Sequence, residues 1–202
     1  VLLLPPAPVL WPLLLPPLVG AIMIISMRHH LELARVFSVA SISLLLAINV
    51  WLLAGSSTGV IQVYDVGAWP APFGIVLVVD KLSATMVLLT SVLALAVVAY
   101  ASKGWDERGR HFHPLFHFQL MGINGAFLTG DVFNLFVFFE VMLIASYGLL
   151  LHGGGARRLE AGIQYVAINL IGSTLFLFAV GIIYAVTGTL NMADLAVKVA
   201  SV

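Results

Sequence analysis

The sequence has no cysteine and very little charge. Only 9% of its 202 residues are charged and 61% are hydrophobic, and the nine Lys and Arg balance the nine Asp and Glu. A soluble domain carries about 25% charged residues, so this chain could not cover a globular surface that faces water. The absence of cysteine excludes disulfides, thiol catalysis and iron–sulfur clusters. The balanced charge argues against nucleic-acid binding, and the composition is that of an integral membrane protein.

Six apolar stretches are long enough to cross a bilayer, which takes about 20 residues each. They cover residues 9–27, 33–54, 81–101, 112–128, 132–151 and 159–186. A single signal peptide cannot account for six such stretches. Prolines crowd the start of the first stretch, which predicts that its first turns are kinked or extended. The pattern predicts an all-α polytopic membrane protein with about six transmembrane helices.

Between the second and third stretches lie two short β-branched runs, residues 60–66 and 73–79. Pro70 and Pro72 separate them, which predicts a β-hairpin. Because unpaired strand edges are not tolerated in hydrocarbon, we expect this hairpin on the extracytoplasmic face of the membrane. Residues 191–202 have the pattern of a short amphipathic helix, and we expect them at the membrane interface.

The basic residues predict the orientation of the chain. Seven of the nine fall on one side of the predicted membrane, and only Lys81 and Lys198 fall on the other. Because cytoplasmic loops carry the excess of Lys and Arg, we expect the N-terminus and the hairpin outside. The seven are Arg28, Arg35, Lys103, Arg108, Arg110, Arg157 and Arg158.

Glu140 is the strongest functional candidate. It lies nine residues after Asp131, which places it roughly 13 Å into a hydrocarbon core about 30 Å thick. An ionised carboxylate costs several kcal/mol there, so the surroundings favour the protonated form. A carboxyl group that holds a proton until a cation approaches is what a proton relay needs. The alternative is a protonated glutamic acid that only forms a hydrogen bond with a neighbouring helix.

Polar side chains on two other stretches are candidates for lining a proton path. Asn169 and Ser173 lie one turn apart on the sixth stretch, and His117 and Asn124 share a stripe with His113 on the fourth. Histidine exchanges protons near neutral pH. The alternatives are helix–helix hydrogen bonds for the amides and the serine, and rings satisfied at the interface for the histidines.

Asp131 directly precedes the fifth stretch. It is either the N-cap of that helix or an ion ligand at the outer mouth. A metal site at His111, His113 and His117 fits by spacing alone, but it lacks a nearby carboxylate or thiol in the sequence. We therefore predict no metal and no cofactor.

Three segments resemble the D-type membrane subunit of the Mrp-type multisubunit cation/proton antiporter. They are residues 118–152 (FQLMGINGAFLTGDVFNLFVFFEVMLIASYGLLLH), 162–173 (GIQYVAINLIGS) and 184–195 (YAVTGTLNMADL). That family is similar to the antiporter-like proton-pumping subunits of respiratory complex I. The resemblance implies a subunit of about 14 spans built from two inverted repeats around a midplane site.

The resemblance also implies a role for Glu140. In the family, a glutamate on the fifth span pairs with a lysine on a broken seventh helix. Glu140 matches the glutamate, whereas the lysine has no match in this sequence. We expect residues 1–111 to be lead-in helices one to three with the hairpin, and residues 112–202 to be the start of the first antiporter repeat. The chain then corresponds to an N-terminal fragment.

The function implied by the resemblance is that of a membrane subunit of a sodium or potassium/proton antiporter in the bacterial inner membrane. It is a secondary transporter rather than an enzyme, and its partners are the other membrane subunits, the exchanged ions and the lipid bilayer. One alternative is a proton-translocating subunit of an NADH:quinone oxidoreductase or membrane-bound hydrogenase. Another is a structural scaffold subunit. The residues expected to relay protons or tune the path are Glu140, His117, Asn124, Asn169, Ser173 and Asp131.

Overall fold

A computed structural model describes residues 8–26, 30–57, 59, 61–69 and 74–201. Within these residues the chain forms seven α-helices and one two-stranded sheet. Their order is α1 Trp11–Ser26, α2 Leu31–Ser56, β1 Gln62–Asp65, β2 Val76–Val79, α3 Lys81–Ala101, α4 Phe112–Leu128, α5 Val132–Leu150, α6 Ala156–Thr187 and α7 Met192–Lys198. Short 3-10 turns occupy Pro8–Leu10, Val66–Ala68, Asp106–Arg108 and Val199–Ser201.

Five helices in the described part of the chain are long and apolar enough to cross a membrane: α1, α2, α3, α5 and α6. Helix α4 has 17 residues, which is about 25 Å and the lower limit of what a bilayer needs. Nine residues of α4 are buried, against two of the 32 in α6. The all-α membrane class is therefore confirmed, with α4 at the centre of the bundle.

Two helices extend beyond the apolar stretches that predicted them. Helix α2 begins at Leu31 and ends at Ser56, and α6 begins at Ala156, so that Arg157 and Arg158 lie in its first turn. Hydropathy marks the apolar part of a span, whereas the hydrogen-bonded helix continues into its polar ends. The predicted end of the first stretch, at residues 27–29, lies outside the described residues.

The two strands form the predicted antiparallel hairpin, with Gln62 opposite Val79. Both are shorter than the β-branched runs. The first strand ends at Asp65 because residues 66–68 form a 3-10 turn in which Gly67 has a φ of 71°. The turn predicted at Pro70 and Pro72 lies outside the described residues. Val79 is fully buried in an apolar cluster with Val9, Leu128 and Phe138. The hairpin therefore closes the end of the bundle at which α3 and α5 begin.

Aspartates cap the two helices that start beneath the hairpin. The Asp80 carboxylate accepts a hydrogen bond from Ser83 N at 2.7 Å, and Ser83 Oγ accepts one from Asp80 N at 2.9 Å. This reciprocal capping box satisfies amides that have no partner within the helix. The hydrogen bond from the Ser83 amide lowers the pKa of Asp80 below its usual value. Asp131 caps α5 with its side chain as well.

The turn between α4 and α5 pairs with segments on both of its sides. Gly130 N donates to Val76 O of β2 at 2.7 Å, and Val132 N donates to Leu190 O at 2.9 Å. The residues near Leu190 lead into α7, which carries an ion pair of 3.0 Å between Asp194 and Lys198. Hairpin, turn and α7 therefore form one hydrogen-bonded layer over this end of the bundle.

Helices α4 and α5 approach each other closely at glycines of α4. A Cβ atom at Gly122 would lie 2.7 Å from the backbone N of Met142, and the Phe138 ring occupies the space beside Gly125. At Gly181 of α6, by contrast, a Cβ atom would have no neighbour within 4 Å among the described residues.

We predict that Gly122→Ala destabilises the subunit by about 1–3 kcal/mol, because the added methyl group must push the α5 backbone away. The matched control is Gly181→Ala, for which we expect no destabilisation, since alanine favours helices over glycine by about 1 kcal/mol. The measurement is the free energy of unfolding in mixed detergent micelles, followed by circular dichroism. Equal unfolding curves for the two variants would contradict the close contact.

Candidate functional site

Glu140 lies at the middle of α5, as the ninth of its nineteen residues. Its side chain is half-buried. The Oε1 atom is buried and has no hydrogen-bond partner among the residues that the structure describes. Buried polar atoms nearly always have a hydrogen-bond partner in proteins. This oxygen is therefore a candidate to bind a proton, a water molecule or a cation.

A cleft of about 360 Å³ opens beside Glu140, between α5 and α6. Asn169 and Ser173 line it from α6, one turn apart. Asn169 Nδ2 donates to Tyr165 O at 2.9 Å within its own helix, so the amide shares the cleft with Glu140 while it bonds to its own backbone. One water molecule takes about 30 Å³ in the liquid, which leaves room for several in the cleft. The other lining residues are Phe136, Phe139, Met142, Leu143, Ile168, Gly172 and Phe176.

His117 lies on the opposite side of the site, at the contact between α4 and α2. It is 1% exposed; its Nδ1 is 2.9 Å from His113 O and its Nε2 is 2.8 Å from Ser41 Oγ. A carbonyl oxygen only accepts, so Nδ1 carries a proton and donates it. Ser41 Oγ also lies 3.0 Å from Ser38 O.

The Ser41 hydroxyl gives His117 partners in both protonation states. When the imidazole is neutral, Ser41 donates its proton to Nε2. When the imidazole is charged, Nε2 donates to Ser41, and the hydroxyl turns to donate to Ser38 O. A histidine that stays satisfied in both states suits a proton relay.

Asn124 replaces a hydrogen-bond donor that α1 lacks. Its Nδ2 donates to Pro12 O at 3.0 Å, and the residue is fully buried. In an α-helix this carbonyl would accept from the residue four positions later, which is Pro16 and has no N–H. Helices at membrane depth tolerate proline when a neighbouring helix satisfies the freed carbonyl. Asn124 therefore holds α4 against α1.

Asp131 is the N-cap of α5. Its Oδ1 accepts a hydrogen bond from the backbone N of Asn134 at 2.8 Å, and the side-chain Nδ2 of Asn134 donates to Thr129 Oγ1 at 3.0 Å. The residue is 8% exposed. The capping interpretation of Asp131 therefore has a direct structural basis, whereas a role as ion ligand stays a prediction.

A charged cluster at the far end of α4 was not predicted. Arg35 Nε and Nη2 donate to the two carboxylate oxygens of Asp106 at 2.7 and 2.8 Å, and His113 Nε2 lies 3.0 Å from Asp106 Oδ2. Burial alone would raise the pKa of Asp106, but the hydrogen bonds from Arg35 and His113 hold that pKa below its usual value. A carboxylate from the α3–α4 connection therefore lies beside His113, although the metal site considered at His111, His113 and His117 was set aside for lack of one nearby in the sequence.

The only sequence signal for this cluster is the acidic pair Asp106 and Glu107 within a basic connection. Its partner Arg35 lies 71 residues away, so no local pattern joins them. In the described part of the chain, no group of three or more His, Asp or Glu side chains is placed to hold a metal ion.

The predicted site residues thus fall in three places. Glu140, Asn169 and Ser173 share the α5–α6 cleft. His117 and Asn124 bond to α2 and α1 on the other side of α4, and Asp131 lies at the hairpin end of the bundle.

Comparison with known proteins shows which proteins the chain resembles. The family described as NADH:quinone oxidoreductase/Mrp antiporter, TM, matches residues 129–201. A D-type subunit of a probable K(+)/H(+) antiporter of Rhizobium meliloti is 54% identical over 195 residues, which are 94% of this chain and 36% of that protein. The D-type subunit of the Na(+)/H(+) antiporter of Alkalihalophilus pseudofirmus is 46% identical over 193 residues, 95% of this chain and 39% of that protein. The chain is similar to D-type antiporter membrane subunits over almost its whole length. It spans little more than a third of the length of these relatives.

Solved structures of relatives share the fold. A chain of the Mrp complex from Dietzia sp. DQ12-45-1b has a TM-score of 0.86 and 33% identity, over 96% of this chain and 39% of its own length. A chain of the membrane-bound sulfane sulfur reductase, an archaeal respiratory membrane complex, has a TM-score of 0.88 and 31% identity, over 94% of this chain and 39% of its own length. A chain of an Mrp complex and a chain of an archaeal respiratory complex thus share this helix arrangement.

We predict that Asn124→Ala loses about 1 kcal/mol of stability, because Pro12 O is left without a donor. Pro16→Ala restores an N–H for that carbonyl. The loss caused by Asn124→Ala should therefore shrink in the Pro16→Ala background, which a double-mutant cycle of unfolding free energies measures. Purely additive effects would show that the two residues do not serve the same carbonyl.

We predict that Asp131→Asn keeps the stability of the subunit, since asparagine caps helices as well as aspartate, whereas Asp131→Ala loses about 1 kcal/mol. The measurement is again the free energy of unfolding. Loss of ion exchange in the assembled complex by Asp131→Asn, at unchanged stability, would assign Asp131 to an ion ligand instead of a simple cap.

Proposed function

We propose that this chain is part of the ion-translocating membrane subunit of a multisubunit sodium or potassium/proton antiporter. The observation that carries the proposal is the buried Oε1 of Glu140, which lies at mid-helix beside a cleft and has no hydrogen-bond partner among the described residues. The high identity to proteins named as D-type antiporter subunits supports it. The process is secondary transport, in which no covalent bond other than that to the proton forms or breaks.

Glu140 holds the proton in this proposal. A carboxyl group without a nearby positive charge is neutral in an apolar setting, and a cation within about 4–6 Å favours its ionised form. In the family, a lysine on a later helix supplies that positive charge. Movement of the charge towards Glu140 releases the proton, and movement away lets Glu140 bind another.

Asn169 and Ser173 orient the water molecules that carry the proton to and from Glu140. Amide and hydroxyl groups both donate and accept hydrogen bonds, so they can orient water in either direction of transfer. They line the α5–α6 cleft together with Glu140. His117 is a second proton-binding residue, nearer the opposite end of the bundle. Asn124 affects the path by holding α1 against α4, and Asp131 affects it by capping the start of α5.

The membrane placement is also a proposal. The excess of Arg and Lys at the end of the bundle away from the hairpin supports a cytoplasmic location for that end and an outside N-terminus, in a bacterial inner membrane. Residues 1–111 are the lead-in helices, and residues 112–202 begin the first antiporter repeat. The exposed face of α6, of which only Gly162 and Val180 are buried, supports contact with further membrane-embedded protein, including other subunits of the complex.

A proton-translocating subunit of a redox complex is the second candidate. The TM-score of 0.88 to a chain of the sulfane sulfur reductase complex favours it. The proton path through the chain is the same in both cases, and only the energy source differs. Copurification distinguishes them, because flavin and iron–sulfur subunits accompany a redox complex and small membrane subunits accompany an antiporter.

We predict that Glu140→Gln reduces cation/proton exchange by the assembled complex to the level of vesicles without it. Glutamine keeps the size and polarity of the side chain but cannot carry the proton. The measurement is the collapse of a pH gradient in inverted vesicles after Na⁺ or K⁺ is added, with an acridine dye as reporter.

The matched control is Glu160→Gln, at an exposed glutamate in the first turns of α6. It should exchange ions at the wild-type rate. If the assembled Glu140→Gln complex also exchanges ions at the wild-type rate, Glu140 has only a structural role and the proposal is wrong.

A further inference from the structure

At the bundle end opposite the hairpin, three elements meet at one buried carboxylate. Asp106, in the connection between α3 and α4, is fully buried and bonded to Arg35 of α2 and His113 of α4. Arg35 also reaches the surface carboxylates of Glu32 and Glu107 at 2.6 and 3.0 Å. A buried ion pair is weak evidence for stability alone, because desolvation offsets much of its attraction. The cluster therefore calls for another explanation.

His113 has one ring nitrogen with no partner. Its Nε2 donates to Asp106, because an ionised carboxylate only accepts. The other nitrogen, Nδ1, is buried and lacks a hydrogen-bond partner within the described ranges, and the side chain is 2% exposed. In the neutral ring this nitrogen carries a basic lone pair, which can bind one more proton.

A cleft of about 520 Å³ reaches His113 from this end of the bundle. Taking about 30 Å³ per water molecule, it has room for on the order of ten. Asp106, Glu107, Arg108 and Arg110 also line it, so its walls are charged. His113 therefore lies on the wall of a polar vestibule.

The next polar groups lie one turn further into the bundle. His113 O accepts the Nδ1–H of His117 at 2.9 Å, and His117 Nε2 meets Ser41 at 2.8 Å. The vestibule, His113, His117 and Ser41 thus form a series that leads from the end of the bundle towards its middle.

We propose that His113 is the proton-accepting site at this end of the protein, positioned by Asp106, which Arg35 in turn orients. A hydronium ion in the vestibule gives its proton to His113 Nδ1 and leaves as water. The imidazolium keeps its Nε2–H on Asp106 and returns the Nδ1 proton to a water molecule, so that His113 binds and releases one proton at this end of the bundle. The proposal rests on the transport function proposed above.

The charges around His113 fit this role. Burial opposes the imidazolium most strongly, Asp106 favours it, and Arg35 and His152, which lies after the end of α5, oppose it. Glu107, Arg108 and Arg110 lie on the vestibule wall, and His117 follows on α4 itself. Among the described residues, α1 has no ionisable side chain, and Tyr100 near the end of α3 is 78% exposed. Because the Arg35 guanidinium keeps Asp106 ionised, the carboxylate stabilises the transferred proton without trapping it.

The test is the pH dependence of exchange by the assembled antiporter in inverted vesicles, where the cytoplasmic face meets the medium. We expect His113→Gln to lower the exchange rate about tenfold near neutral pH, equal to one pH unit of proton occupancy, and to flatten the pH profile. His111→Gln, at an exposed histidine two residues earlier, is the matched control and should leave the profile unchanged.

Asp106 is tested as a positioning residue. Asp106→Asn removes the negative charge that favours the imidazolium, so the midpoint of the pH profile should move about one unit towards acid. Asp106→Glu keeps the charge and should restore most of the wild-type profile. An assembled Asp106→Asn complex with an unmoved midpoint would overturn the role of Asp106.

An assembled His113→Gln complex with the wild-type rate and profile would overturn the proposal. So would failure of both His113→Gln and His113→Asn to assemble, because His113 would then serve folding. These failures are distinct from failure of the transport function, in which the wild-type complex exchanges no ions at any pH. Suppose that the wild-type complex exchanges ions, the Glu140→Gln complex does not, and the His113→Gln complex has the wild-type rate and pH profile. That result refutes only the site at His113 and leaves the proposed transport function standing.

Discussion

Apolar helices in a bilayer gain little from the hydrophobic effect when they associate, because lipid tails are as apolar as leucine. Close backbone contacts and hydrogen bonds between helices must select the neighbours instead. Helix α4 carries both in this bundle. Asn124 donates to α1, His117 meets Ser41 of α2, and Gly122 lets the α5 backbone approach. The positions of α1, α2 and α5, and hence of Glu140, depend on these contacts of one 17-residue helix.

Unsatisfied polar atoms separate the functional candidates from the structural ones. Buried side-chain atoms without a partner occur at five described residues, and the free energy of leaving them so is unfavourable. Only Glu140 and His113 of these five also line a cleft described above. An unpaired atom next to space can take up water, a proton or an ion, whereas one in a packed interior cannot. The remaining three are Ser38, Asn49 and Asn124.

Much of the fold could be predicted because the bilayer imposes its thickness on the sequence. Each long helix coincides with an apolar stretch, and the depth of Glu140 follows from its distance to the cap at Asp131. Local patterns also predicted the hairpin, although a 3-10 turn shortens its first strand. The misses are contacts between distant segments. Nothing local joins Arg35 to Asp106.

The role of Asn124 was out of reach for a related reason. Its stripe on α4 was visible from spacing, but its partner is Pro12 O, 112 residues away, and that carbonyl is free only because of Pro16. When one helix lacks a hydrogen-bond donor, the sequence of the neighbouring helix that supplies the donor does not show it. Buried polar residues of membrane proteins can therefore be identified from sequence more readily than the partner that each one satisfies.

The close contact at Gly122 also restricts the proton path proposed for Glu140. The polar stripe of α4 faces α1 and α2, and its glycines face α5, so His117 and Glu140 lie on different sides of α4. Space too small for a Cβ atom at Gly122 is too small for water, which closes the direct route between α4 and α5 at that level. The cleft towards α6 is the space that opens beside Glu140 instead. In the proposed relay, protein that covers the exposed face of α6 would control when Glu140 meets water and when it meets a cation.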